Sequence, residues 1–190
     1  MLVDEWAVRL DESVRRALRD VVSAFPFEAD EHTVGPPATS AELAALRRRM
    51  PWVPDELVVL QQAVGAVSLP DICNGYFLYD VRGLVGVLDH DDGRPDRVAG
   101  AYQVDVVVFG GDGGGAQYAI ALGDGAGRAG DRPAQAGPGG PILRLREAAY
   151  LGGEYEGPGI SVIARDLPEF LAKLLAAVDA FGDGGRITDL

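Results

Sequence analysis

Residues Val104 to Leu122 read VDVVVFGGDGGGAQYAIAL, and no other stretch limits the fold of this chain as much. A run rich in β-branched residues, Val104 to Phe109, enters a glycine-rich loop, Gly110 to Gly115, and a second β-type run, Ala116 to Leu122, leaves it. Alternation puts Asp105, Val107 and Phe109 on one face and Val104, Val106 and Val108 on the other. A strand that is apolar on both sides belongs in the interior of a sheet. Tyr118, Ile120 and Leu122 then share a face. A phosphate cradle of the Walker type needs a Lys-Ser or Lys-Thr pair at its end, and a dinucleotide fingerprint needs a following helix whose N-terminus meets the pyrophosphate. The only lysine is Lys173, and a strand pattern follows the glycines. The loop is therefore read as a hairpin turn, with glycine supplying positive φ angles, and no cofactor is expected.

The chain of 190 residues is 47% hydrophobic, enough for one domain to bury a core without disulfides. Its single cysteine, Cys73, excludes an internal disulfide and suits a reducing cytosol. The opening MLVDEWAVRLDESVRR lacks the basic and apolar regions of a signal peptide, and no run approaches the length of a membrane span. These features lead to an expectation of a cytoplasmic protein. The formal charge is −12, a surface that repels nucleic acid and anionic lipid and attracts basic partners. Plain solubility accounts for it equally well.

Trp6, Leu10, Val14, Leu18, Val21 and Phe25 recur at helical spacing and predict a helix from about Val3 to Ala24, stopped by Pro26. Phe27 to Pro37 reads as irregular. Thr39 to Glu42 is a capping box that opens a second helix. Arg47, Arg48 and Arg49 end it as a solvated face, with anion binding the other reading. Pro51-Trp52-Val53-Pro54 breaks it. Pro54 then suits the first position of a third helix, carried by Leu57, Leu60, Gln61 and Val64 and capped by Gly65. Short strands are expected at Val67–Leu69, Tyr76–Tyr79 after the Asn74-Gly75 turn, Gly83–Leu88, Ile142–Leu145 and Ile160–Ala164. Gly123 to Gly140 is low in complexity and is read as a mobile insertion. Asp166 and Glu169 cap the last helix, buried through Phe170, Leu171, Leu174, Leu175, Val178 and Phe181. Gly182 to Gly185 ends it, and residues 183–190 read as a loose tail.

The chemistry-bearing residues are few. Asp89-His90-Asp91-Asp92-Gly93 resembles half a calcium loop, but Gly93 falls at position five where an EF-hand has glycine at six, and Gly100 stands where the glutamate belongs. It is read as an exposed acidic loop, with weak ion binding left open. His32 is read as an exposed loop histidine, since two histidines and one cysteine are a poor metal set. Cys73 with His90 is the one thiol pairing on offer, against which stands the ordinary role of a lone cysteine as a small buried hydrophobe. No nucleophile elbow occurs.

The order of elements resembles the SUKH superfamily, the group of the yeast Smi/Knr cell-wall assembly regulator. The resemblance rests on the capped helix Ala38-Thr39-Ser40-Ala41-Glu42-Leu43, on Pro51 to Gly65, on Val107 to Ile120 with its Gly-Asp-Gly-Gly-Gly turn, on Ile142, and on Ile160 to Leu175. It covers roughly residues 37–177. It implies an α+β fold, a mainly antiparallel twisted sheet with helices packed against it, spanning residues 37–182. Residues 1–36 and the insertion at 123–140 are additions to that pattern. In bacteria such proteins are mostly immunity proteins that bind and neutralise a toxin, often a nuclease. No catalytic residue, cofactor or metal carries over.

The expected function is thus non-catalytic binding of a cognate protein toxin with a basic surface, without nucleic-acid or membrane partners. An acidic surface that imitates nucleic acid fits a nuclease partner. The alternatives are a regulatory scaffold of the Smi/Knr type and an enzyme built on Cys73 or the glycine loop. The residues expected to touch the partner are Asp89, Asp91, Asp92, Asp112, Tyr150, Glu154, Tyr155 and Glu156, where acidic and aromatic side chains mix.

Overall fold

A computed structural model of the chain describes residues 2–86, 94–99, 103–122, 138–146, 150–151, 154–155, 159–188 and 190, with backbone alone at 150–151. In chain order the helices are α1 (Val3–Asp20), α2 (Ser40–Arg49), α3 (Asp55–Ala63), α4 (Val81–Gly86) and α5 (Leu167–Gly182). The strands are β1 (Thr33–Val34), β2 (Val67–Leu69), β3 (Tyr76–Leu78), β4 (Arg97–Val98), β5 (Val104–Asp112), β6 (Gln117–Leu122), β7 (Gly139–Leu145), β8 (Tyr150–Leu151), β9 (Glu154–Tyr155) and β10 (Ile160–Ala164).

The sheet runs β1–β2–β3–β5–β6–β7–β10, antiparallel throughout. The long β5 lies at its centre. Its partner β6 covers Val106 to Gly111, while its other edge is shared by β3 at Gly110–Asp112 and β4 at Val104–Asp105. β4 carries β9 in parallel, and β8 pairs antiparallel with β9. The fold is α+β, a mainly antiparallel sheet with helices packed against it.

Alternation along β5 divides the interior in two. Val107 and Phe109, with Tyr118, Ile120 and Ile142, pack under residues of all five helices. The Phe170 ring meets Phe109 edge-on at 5.3 Å and Tyr118 at 5.1 Å. Val104, Val106 and Val108 form a second cluster with Ala119, Ala121, Leu143, Leu145 and Tyr155 on the opposite face. Both sides of the central strand are buried, as its apolar pattern requires.

The first helix is part of the main core. Trp6 is fully buried and its Nε1 donates to the Leu171 carbonyl at 2.7 Å. Asp179 on α5 accepts from Ser13 Oγ at 2.5 Å and from Arg16 Nη2 at 2.7 Å. The tail is also held: Tyr76 Oη donates to the Thr188 carbonyl at 2.7 Å and Leu190 packs against the core. Among the described residues no helix is long and apolar enough to cross a membrane.

Several local expectations change. The first helix stops at Asp20, and Val22–Ala24 is a 3₁₀ turn. The irregular segment contains β1, a two-residue strand too short to carry a period. Pro54 precedes α3, its carbonyl accepting from Leu57 and Val58. Gly65 is required by close approach: a Cβ there would lie 2.5 Å from the Pro36 carbonyl oxygen. The strand expected from Gly83 is instead α4, because Asp80 caps it, accepting from Gly83 N at 2.8 Å. Gly139 and Gly140 belong to β7, whose start is held by the Glu56 carboxylate on Gly139 N. The rest of the low-complexity segment, 123–137, lies outside the described residues.

Candidate functional site

The glycine-rich loop is shorter than its composition implies. β5 continues through Gly110, Gly111 and Asp112, and the turn proper is Gly113 to Gly115. Asp112 builds it. Its Oδ1 accepts the N–H groups of Gly114 at 3.0 Å and Ala116 at 2.9 Å, an aspartate bonding its own following backbone. Its Oδ2 meets the Arg144 guanidinium at 2.5 Å. The Asp112 side chain is 4% exposed. Gly113 donates to the Asn74 carbonyl at 2.8 Å, which docks the β2–β3 turn on this one. A Cβ on Gly113 would sit 2.2 Å from that oxygen. Gly115 takes the left-handed conformation, φ +87°. The expectation that Asp112 faces a partner is corrected: turn and guanidinium occupy its carboxylate.

Tyr155 is corrected likewise. It is fully buried in the second cluster, its hydroxyl donating to the Arg146 carbonyl at 2.8 Å. Burial pushes its phenol above the ordinary value of 10.0. Glu154 beside it pairs with Arg97 at 3.3 Å and is 41% exposed. Tyr150 lies in β8 opposite Tyr155. Asp89, Asp91, Asp92 and Glu156 lie outside the described residues, as does His90. The structure brings Tyr150, Glu154 and Tyr155 into one small ladder and leaves Asp112 apart from it, at the far end of β5.

His32 is not an exposed loop residue. Its side chain is 2% exposed, with Nε2 3.0 Å from Asp71 Oδ2, which also accepts from the Asp30 amide. The pair fastens the segment before β1 to the turn after β2. Cys73 is a half-buried free thiol in that turn, with φ +57°. Among the described residues no group of three or more histidine, cysteine or carboxylate side chains is placed to hold a metal ion.

The concave surface lies elsewhere. One hollow of about 400 Å³ opens over β2, β3, β5 and β6. Its floor follows a single transverse row, Ser68, Phe77, Gly111 and Gln117, each in register with the next. Gly111 leaves the gap: a Cβ there would lie 2.7 Å from the Ala116 carbonyl oxygen. A second hollow of about 360 Å³ adjoins it, sharing Ala66 and Asp80. It is framed by Gly35 to Thr39, Gln61 and Gly65. Glu42, at its edge, accepts from the Thr39 amide and hydroxyl, each at 2.8 Å. The Thr39 amide, then the hydroxyl, hold the Glu42 carboxyl below its usual range, and Arg82 adds to the effect.

Neither hollow is visible as a motif, because each is assembled from segments far apart in sequence. One signal was present: Gln61 is a polar residue inside the buried stripe of α3, beside Leu57, Val58 and Leu60. No protein-family model matches the chain, and no curated protein matches it.

Proposed function

We propose that this chain is a non-catalytic binding protein of the immunity type, which covers a cognate protein toxin with a basic surface and so silences it. The observation that carries the reading is the β5–β6 hairpin. Its Gly-Asp-Gly-Gly-Gly turn is a self-contained structural unit, with Asp112 bonded to the turn amides and to Arg144. That supports a role for the glycines in the sheet, and supports the SUKH-like reading of the strand order around them. The charge of −12 supports a basic partner, a nuclease or another toxin enzyme, drawn in by its field. The single cysteine supports a cytoplasmic setting.

Co-expression with the toxin encoded beside it tests the proposal. The expected result is restored growth and co-purification of the two chains. A chain that neither rescues growth nor co-purifies is not the antidote to that toxin. Neighbouring genes for cell-wall or signalling proteins, with no toxin gene, would turn the reading toward a regulatory scaffold.

A further inference from the structure

The second hollow is a built site. Its back wall is a crossing of two backbones: Gly35 N–H donates to the Ala66 carbonyl at 2.7 Å, and Gly65 N–H to the Gly35 carbonyl at 3.2 Å. Cβ atoms at Gly35 and Gly65 would lie 2.8 and 2.5 Å from facing carbonyl oxygens, so both glycines are needed for the crossing to form. Gln61 lines the hollow and is 1% exposed. Its Nε2 donates to the Tyr79 carbonyl at 2.9 Å. That contact fixes the amide orientation, since the reverse would press Oε1 against another carbonyl oxygen. Oε1 is left buried with no hydrogen-bond partner. An unpaired buried acceptor is unfavourable, and a donor that reaches it from the hollow removes the penalty.

Charge says what kind of donor. Asp80 stands at the joint of both hollows, and its Oδ1 caps α4 through Gly83. Among the described residues no cation pairs with it. Glu42 is engaged by Thr39, and Arg82 is near enough to act on it, so Asp80 holds the open charge. We infer that the hollow between Gln61 and Asp80 receives an arginine side chain of a basic protein partner. A planar guanidinium carries several donors in a fixed fork, which matches an amide oxygen and a carboxylate together. This rests on the binding-protein reading for the identity of the partner, and on the geometry alone for the chemistry of the ligand.

Titration of ¹⁵N-labelled protein with Nα-acetyl-arginine methylamide, beside its lysine and serine counterparts, tests it by NMR. The arginine probe is expected to shift the Gln61 side-chain amide and the Gly65 and Ala66 amides saturably, more tightly than lysine, with serine inert. Asp80→Asn keeps the α4 cap, because asparagine is also a good N-cap, and is expected to weaken arginine binding roughly tenfold. Gln61→Met, of similar volume, is expected to weaken it too, with its fold checked by circular dichroism. Shifts scattered over the acidic surface, equal binding by lysine, or no change in Asp80→Asn would overturn the inference. In the growth assay, rescue by wild type and equal rescue by Asp80→Asn would remove the hollow from toxin recognition while leaving the immunity reading. Saturable, Asp80-dependent probe binding without any rescue would do the reverse.

Discussion

Replacing Asp112 by alanine removes the acceptor shared by three donors: the Gly114 and Ala116 amides and the Arg144 guanidinium. The Gly114 amide is exposed and can turn to water, while the Ala116 amide is part-buried. The guanidinium, 14% exposed, loses the carboxylate it meets in the turn. Loss of one member of a buried ion pair typically destabilises by about 3–5 kcal/mol, and Asp112→Ala is expected to fall in that range, measured as a lowered urea midpoint at constant slope. Asp112→Asn keeps Oδ1 for the turn and loses the charge, so it should fall between. The sequence makes Asp112 legible as a turn residue and nothing more. Arg144 lies 32 residues away, and only the register of β5, β6 and β7 brings it alongside. Tyr155 is misread for a related reason: a tyrosine between glutamates reads as surface, and its burial comes from pairing of β9 with β4, which no local pattern announces.

At the scale of elements, the helix ends are the most legible features and the two-residue strands the least. Thr39 and Glu42 form the capping box of α2 and Asp166 caps α5 as their spacing predicts, while the Glu169 carboxylate reaches past Asp166 to the Arg165 amide. Both glutamates accept hydrogen bonds that favour the ionised form. For Glu169 the Arg165 amide contributes most, followed by the Lys173 ammonium, and its carboxyl lies below the ordinary 4.5, as does that of Glu42. A depressed carboxyl value means stability fully present above the unfolded value and lost as pH falls through the folded one. Both groups lie at the surface, so the effect is screened and small. The melting temperature of the Glu42→Gln/Glu169→Gln variant should therefore fall less steeply with acidification below about pH 4.5 than that of the wild type. The misread element is α4. Val81 to Gly86 has the glycines and β-branched residues of a short strand, and the deciding residue, Asp80, lies one position before it and acts through its side chain.

For the molecule as a whole, the decisive packing is α1 on α5. A helix expected from the sequence to be an N-terminal extension lies in the same core as the central strand. Its Trp6 is fully enclosed and hydrogen-bonded to α5. Trp6→Ala is expected to lose about 3–5 kcal/mol, a large part of the 5–15 kcal/mol typical of a whole domain, as read by chemical denaturation. The layered α+β architecture was legible because β5 is apolar on both faces and the helices carry one apolar stripe each. The hollows were not, since they depend on backbone crossings at Gly35 and Gly65 and on a missing side chain at Gly111. Trp6 has one more consequence. The chain contains two tryptophans, and Trp52 lies in the link between α2 and α3, half-buried against the main core. With Trp52 replaced by phenylalanine, the single remaining indole becomes an optical gauge whose emission colour reports whether the first helix is seated on the last.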